Sequence, residues 1–240
     1  MKLRKEELNL HKFFIIYNDK TNLDVKAMIE TRPAKPAPEM EYEEVKVPCG
    51  KTLYREKGYG DIEITISFNF VSKNANEWDR DFRRIKKWLL QKENNRLKFS
   101  DDLEVYYKVN KVIIDTPERL IRRAGKFTAT FTCEPYIYID EDEFKLEKYI
   151  YNDYLISKPI YRVVGNGNIT LNINNKTIKA KVEEELIIDT DKGLCFKEGK
   201  INNVALEGRY EDLYLQEGYN NFSWTKNFNV YITPNLRCLW

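Results

Sequence analysis

The residues with the most recognisable chemistry are Gly50-Lys51-Thr52, the ending of a loop that cradles phosphates with backbone N–H groups and a lysine. The complete pattern also needs a glycine where Val45 stands and a helix behind the lysine. A turn and then a strand are expected here instead, so no nucleotide site is assigned. Adjacent acids occur at Asp101-Asp102, Glu141-Asp142-Glu143 and Glu183-Glu184-Glu185. Glycoside hydrolysis needs two carboxylates facing each other across a cleft, one with a raised pKa. Neighbouring acids in turns are ordinarily solvated, and a hydrolase reading would rest on Asp101 and Asp102. His11 is the single histidine, which excludes a multi-histidine metal centre and leaves room for one triad at most. Cys49, Cys133, Cys195 and Cys238 are scattered, unlike the close ligand pairs of structural zinc. They read as reduced thiols of the core or of turns. No catalytic, cofactor-binding or metal-ligating residue is assigned, no cofactor is expected, and the chain is read as non-enzymatic.

Binding chemistry is the next candidate. Arg119, Arg122, Arg123 and Lys126, with the basic face of a helix over 77–91, could meet a phosphate backbone. The neighbouring Trp78 and Phe82 fall on the opposite, apolar face, which leaves no stacking platform for bases. A solvated face or an inter-subunit charge contact is expected, without sequence-specific nucleic-acid binding. Tyr210, Tyr214, Tyr219 and Trp224 could stack on sugar rings; in that alternative the chain is a carbohydrate-binding sandwich recognising host cell-wall sugars. Against it, Trp224 is expected to pack the core. Asn168-Ile169-Thr170, Asn175-Lys176-Thr177 and Asn221-Phe222-Ser223 match the N-glycosylation pattern, but without a secretory route they read as turn asparagines. Pro33-x-x-Pro36 matches an SH3-type ligand, although a prolyl crossing between strands explains it without a partner.

The elements that position these residues are mainly β. Tyrosine (16) and phenylalanine (12) outnumber glycine (10) and methionine (3), a balance that favours sheets. The clearest strand lies in residues 47–71, where Ile62, Ile64, Ile66, Phe68 and Phe70 alternate with Glu63, Thr65, Ser67 and Asn69. That period of two predicts a half-buried strand. Before it come a Pro48-Cys49-Gly50 turn, the Leu53-Tyr54 pair and a Gly58-Tyr59-Gly60-Asp61 turn. Strands are also predicted at 13–17 and 23–29, followed by a polyproline-like connector through Pro33, Pro36 and Pro38. One helix is predicted over 77–91, with Asn76 as N-cap and an apolar stripe of Trp78, Phe82, Ile85 and Leu89. Arg80, Arg83, Arg84, Lys86, Lys87 and Lys92 cover its other face, and Asn94-Asn95 ends it. Laid over the sheet, it gives an α-on-β layer. A strand pair at 97–99 and 105–114 follows. Then Phe127, Ala129, Phe131 and Cys133 alternate in a strand that Glu134-Pro135 is expected to stop.

Beyond the acidic stretch 140–143 the texture changes. Residues 165–168, 174–175, 191–193, 198–199 and 218–221 are expected to punctuate short strands at sandwich spacing. Ile169/Leu171/Ile173, Ile178/Ala180/Val182 and Phe228/Val230/Ile232 are the predicted inward sets. The reading is two domains, 1–145 with the helix and 146–240 as an all-β sandwich. Leu53-Tyr54-x3-Gly58-Tyr59 recurs as Leu213-Tyr214-x3-Gly218-Tyr219, read as two hairpins with similar turn chemistry. The 240 residues carry 40 Lys+Arg against 38 Asp+Glu, a net +2 that calls for neither nucleic acid nor an anionic membrane. The apolar run at 13–17 is too short for a signal peptide or a membrane span, so a soluble chain made in a cytoplasm is expected.

Taken in order, these pieces resemble a known family. Arg32-Pro33…Pro36-x-Pro38, Val47-Pro48…Thr52-Leu53-Tyr54 and Gly58-Tyr59-x-Asp61 before a strand are similar to the distal tail proteins of long-tailed bacteriophages. The likeness continues through Lys87-Trp88-Leu89, Leu97-x-Phe99-Ser100-Asp101-Asp102, Tyr106-Tyr107 and Gly125-x-Phe127…Phe131-x-Cys133-x-Pro135-Tyr136. In the second half Gly165-Asn166-Gly167-Asn168, Gly218-x-Asn220 and Thr233-Pro234-x-x-Arg237 fit as well, so nearly the whole chain is covered. One departure is the turn after Val47-Pro48, glycine-rich in the family and here the shorter Cys49-Gly50-Lys51. The resemblance implies an N-terminal β-sandwich or split-barrel-like domain that builds a hexameric ring and a galectin-like C-terminal β-sandwich that projects outward. It implies partners too: the tail tube protein, the tail-tip hub protein and the receptor-binding protein, around a central channel through which DNA passes. The location implied is the virion tail tip. Residues 47–71 become a scaffold element of the ring-forming domain, and receptor recognition falls to partners.

Overall fold

The computed structural model describes residues 13–91 and 94–239, so His11 and Lys92 lie outside the described residues. Among the described residues the chain is mainly β with one α-helix, and it divides into two compact units at Ile137/Tyr138.

In the first unit the sheet runs in the order Lys20–Thr21, Ile15–Tyr17, Arg96–Phe99, Asp102–Ile114, Ala124–Ile139, Ile62–Val71, Met28–Ile29. The strand Ile62–Val71 alternates buried and open as its period of two demands, and it pairs with Ala124–Ile139 from Ala124↔Val71 to Cys133↔Ile62. Ile64, Ile66, Phe68, Phe127, Ala129, Phe131 and Cys133 thereby share one dry face. The helix Trp78–Leu90 lays Trp78, Phe82, Ile85, Trp88 and Leu89 on that face. Phe82 stacks on Phe70 with ring centroids 5.7 Å apart, and Phe68 meets Trp88 edge-on at 6.3 Å. Such aromatic pairs add about 0.5–1.5 kcal/mol each beyond the area they bury.

Several sequence expectations are corrected. The helix is entered through a 3-10 turn, Ala75–Glu77, capped at Asn74 rather than Asn76, with no side-chain cap bond. Residues 23–26 are turn rather than strand, and the strand is reduced to Met28–Ile29. Asn22 Oδ1 accepts from the Ile15 N–H at 2.9 Å and Asp24 Oδ2 from the Thr21 N–H at 2.8 Å, so local side-chain bonds outcompete a ladder. Pro135 does not stop its strand, which runs on to Ile139. Pairing with Ile62–Val71 has already ended at Cys133, so the missing proline N–H removes no bond from that ladder.

In the second unit, residues 165–168 and 218–221, expected as turns, are inside strands. Ile160–Ile173 and Lys176–Asp189 form one unbroken hairpin from Ile160↔Asp189 to Ile173↔Lys176. Its first strand pairs with Asn229–Thr233 along its start and with Gly218–Trp224 along its end. Gly165 makes this possible: a Cβ there would sit 2.4 Å from the Phe228 ring, and its φ of +155° suits glycine. The echoed motif likewise separates, with 53–59 a strand and 213–219 a 3-10 end followed by a strand start. The inward sets lie as expected: Ile169, Leu171, Ile173, Ile178, Ala180, Val182, Phe228, Val230 and Ile232 are all buried in a second core.

Candidate functional site

The residues nominated for chemistry do not come together. Gly50 and Lys51 sit in an exposed turn closed by Gly50 N–H on Val47 O at 3.0 Å, with a strand, not a helix, behind them. Asp101 is held by Lys35 at 3.5 Å and Arg32 at 3.7 Å. Glu143 and Glu185 both bind Arg162, which lies over the Tyr231 ring at 4.2 Å. Glu183 bridges Lys181 and Lys197, whose ammonium groups hold its carboxyl down from 4.5 to about 2. Asp101, Glu143, Glu183 and Glu185 are thus each neutralised by a basic partner, so none of them is a lone carboxylate. Among the described residues no cluster of three or more His, Cys, Asp or Glu could hold a metal ion. Of the thiols, Cys49 is exposed, and Cys133 and Cys195 are buried and in no disulfide. Burial pushes the Cys133 thiol up to about 12, with Asp61 and Glu134 adding to it, so it is inert rather than nucleophilic.

Three of the four clustered basic residues are engaged as well. Arg119 donates to the carbonyls of Ala75 and Arg122 and lies over the Trp78 ring at 5.1 Å. Arg123 donates to Lys73 O, and Lys126 pairs with Glu30 at 2.8 Å. Arg119 and Arg123 thereby brace the entry to the helix. At the other end, Asn18 does what sequence reading missed. In a left-handed turn (φ 50°), its amide donates to Trp88 O and Gln91 O and its Oδ1 accepts from Asn94 N–H. The Trp88 indole in turn donates to Tyr17 O at 2.8 Å.

One element joins neither main sheet among the described residues. Among the described residues Met40–Val45 and Leu53–Tyr59 pair with each other alone, as a two-stranded ribbon outside both main sheets. Tyr42 (54% exposed), Leu53 (57%) and Tyr54 (65%) stand in solvent beside exposed Val45 and Val47. Tyr42 and Tyr54 touch edge-on at 6.5 Å, and Glu43 sits opposite Arg55. An isolated two-stranded ribbon is marginal in water, and clustered exposed apolar side chains mark contact surfaces. The ribbon is the candidate assembly site.

A family model described as the phage tail protein N-terminal domain matches residues 14–135. The chain belongs to that family. As a phage tail protein it is a structural component of the virion. Its fold is similar to that of the SPP1 Dit (gp 19.1) protein, a paradigm of the hub adsorption apparatus in phages that infect Gram-positive bacteria. That likeness has a TM-score of 0.64 at 13% identity, over 92% of this chain and 97% of that one. A chain of the phage P2 baseplate in its activated conformation with Ca is similar too, with a TM-score of 0.55 at 12% identity over the same shares. At such identities the likeness bears on fold. No curated protein matches this tail protein. Among its described residues no helix is long and apolar enough to cross a membrane.

Proposed function

We propose that this phage tail protein is a non-enzymatic subunit of the distal tail that closes into a hexameric ring through its projecting ribbon. The carrying observation is that ribbon, 40–45 with 53–59, which leaves Tyr42, Leu53 and Tyr54 in water while pairing with neither main sheet. A ring forms when one surface of a subunit meets a different surface of the next and the rotation closes. A projecting arm is suited to such a head-to-tail contact. Its acidic strand (Glu41, Glu43, Glu44) and mixed-charge strand (Arg55, Glu56, Lys57) also restrict which surface it meets. Residues 1–145 build the ring, and 146–240 form the sandwich that faces outward. The ring joins the tail tube to the hub and receptor-binding proteins at the virion tail tip, and DNA passes through its centre without being read. Membership of the phage tail family and the distal-tail fold support this reading.

Negative-stain electron microscopy of the purified full chain tests it. Six-fold rings with an open centre are expected across a concentration series. Featureless particles of single-subunit size throughout would refute it.

A further inference from the structure

The second unit carries a concave polar surface that assembly does not explain. Its floor is a row of side chains across four strands, fixed by register. Tyr149 faces Asn221, Ser223 faces Asn172, and Asn172 faces Thr177. The hollow has a volume of about 460 Å³, within the roughly 300–1,000 Å³ of small-ligand sites. None of its lining residues is a carboxylate, and Lys148 is the one cation among them.

The row is rigid before any ligand arrives. Asn172 donates to Ser223 Oγ at 3.1 Å and accepts from Thr177 Oγ1 at 2.8 Å. The turn at one end is pinned by Asn174, whose amide donates to Asn220 Oδ1 at 2.7 Å and whose Oδ1 accepts from Asn221 N–H. Asn220 is fully buried and is itself bound to Gln216 and Gly218. Hydrogen-bonding capacity is left over on the open side. The Ser223 hydroxyl, accepting from Asn172, keeps its proton to donate, and the Thr177 oxygen keeps its lone pairs. Among the described residues the side chains of Asn175, Asn221 and Lys148 make no hydrogen bond within the protein. Beside them stands Tyr149, 64% exposed, with Tyr151 and Tyr219 next to it in edge contact at 4.8 Å.

Amides and hydroxyls that both donate and accept, set beside an open aromatic face with little charge, match the chemistry of a saccharide. Ring hydroxyls need paired donors and acceptors, and the apolar face of a pyranose packs on an aromatic ring. We infer that this surface binds a neutral, hydroxyl-rich glycan, with Tyr149 as the stacking platform and Asn221, Ser223, Asn172 and Thr177 reading the hydroxyls. The aromatics Trp224 and Tyr210 take no part: the Trp224 indole donates to Phe228 O at 3.1 Å, and the Tyr210 hydroxyl lies 3.3 Å from Asn203 Oδ1.

The test uses the full chain, clustered through a tag antibody so that multivalency compensates for a weak single site. The probes are chitotetraose and a printed panel of bacterial wall polysaccharides. Retention on at least one neutral glycan is expected, unchanged when salt is raised to about 0.5 M, where charge attraction is screened. Tyr149→Ala and Asn221→Ala should each weaken it by about tenfold or more, while Trp224→Phe leaves it intact. Thermal melts that match the parent show that the exposed substitutions spare the fold. No retention on any glycan, retention abolished by salt, or retention unaltered in both variants would overturn the inference. Ring formation is scored separately in the same variants, so failure here does not bear on assembly.

Discussion

Individual side chains in this protein have environments that set measurable chemistry. Cys133 is buried between strands with its thiol pushed up to about 12, and burial also raises Cys195, whereas Cys49 is exposed in the turn of the ribbon. In a Cys238→Ser background, an aromatic disulfide reagent at pH 8 should therefore titrate Cys49 at once. Cys133 and Cys195 should react only after denaturant is added; rapid reaction of all three would contradict the packing described. Glu183 offers a second check. Its carboxyl is lowered to about 2 by Lys197 and Lys181, so the favourable pairing is complete above about 4.5 and is lost as pH falls toward 2. Carbon-detected NMR of the Glu183 carboxylate should show a midpoint near 2. In Lys181→Met/Lys197→Met the midpoint should climb back toward the ordinary carboxylate value.

At the level of elements, the helix-on-sheet layer depends on one close approach. A Cβ at Gly125 would lie 2.5 Å from the Phe70 ring and 2.9 Å from the Trp78 indole nitrogen. Gly125→Ala should cost about 1–3 kcal/mol through overpacking, and Phe131→Ala about 3–5 kcal/mol through the cavity it leaves. Equilibrium urea unfolding of the two variants reads both values, and an unshifted midpoint for Gly125→Ala would mean the helix sits farther from the sheet. These elements were legible in the sequence because a core face imprints its period: Ile62 to Phe70, Trp78 to Leu89 and Phe127 to Cys133 could be read directly. What was not legible lacks that imprint. Strand breaking at Pro135 and at 165–168 was inferred from residue type alone, yet Pro135 lies past the end of one ladder and Gly165 makes room for Phe228. The ribbon was hardest to see. Its strands bury almost nothing within the chain, so Leu53-Tyr54 read as a pair before a turn rather than as part of an exposed strand. For the polar hollow, the asparagines were visible but scattered over 172–223, and register alone brings them side by side.

For the whole molecule, the account separates assembly from recognition. The ribbon belongs to the first unit and the polar hollow proposed to bind glycan to the second, so substitutions in one should leave the other's readout unchanged. The central claim is that exposed apolar residues of the ribbon hold a ring together. Because Leu53 and Tyr54 touch neither core, replacing both with aspartate should spare the fold of the single chain and remove its means of association. The measurement that tests this most directly is multi-angle light scattering on the parent and on Leu53→Asp/Tyr54→Asp. The account predicts six times the 28.7 kDa chain mass for the parent and the single-chain mass for the variant, with the same far-UV circular dichroism for both. A parent that stays at one chain mass at every concentration, or a variant that still assembles as the parent does, would contradict it.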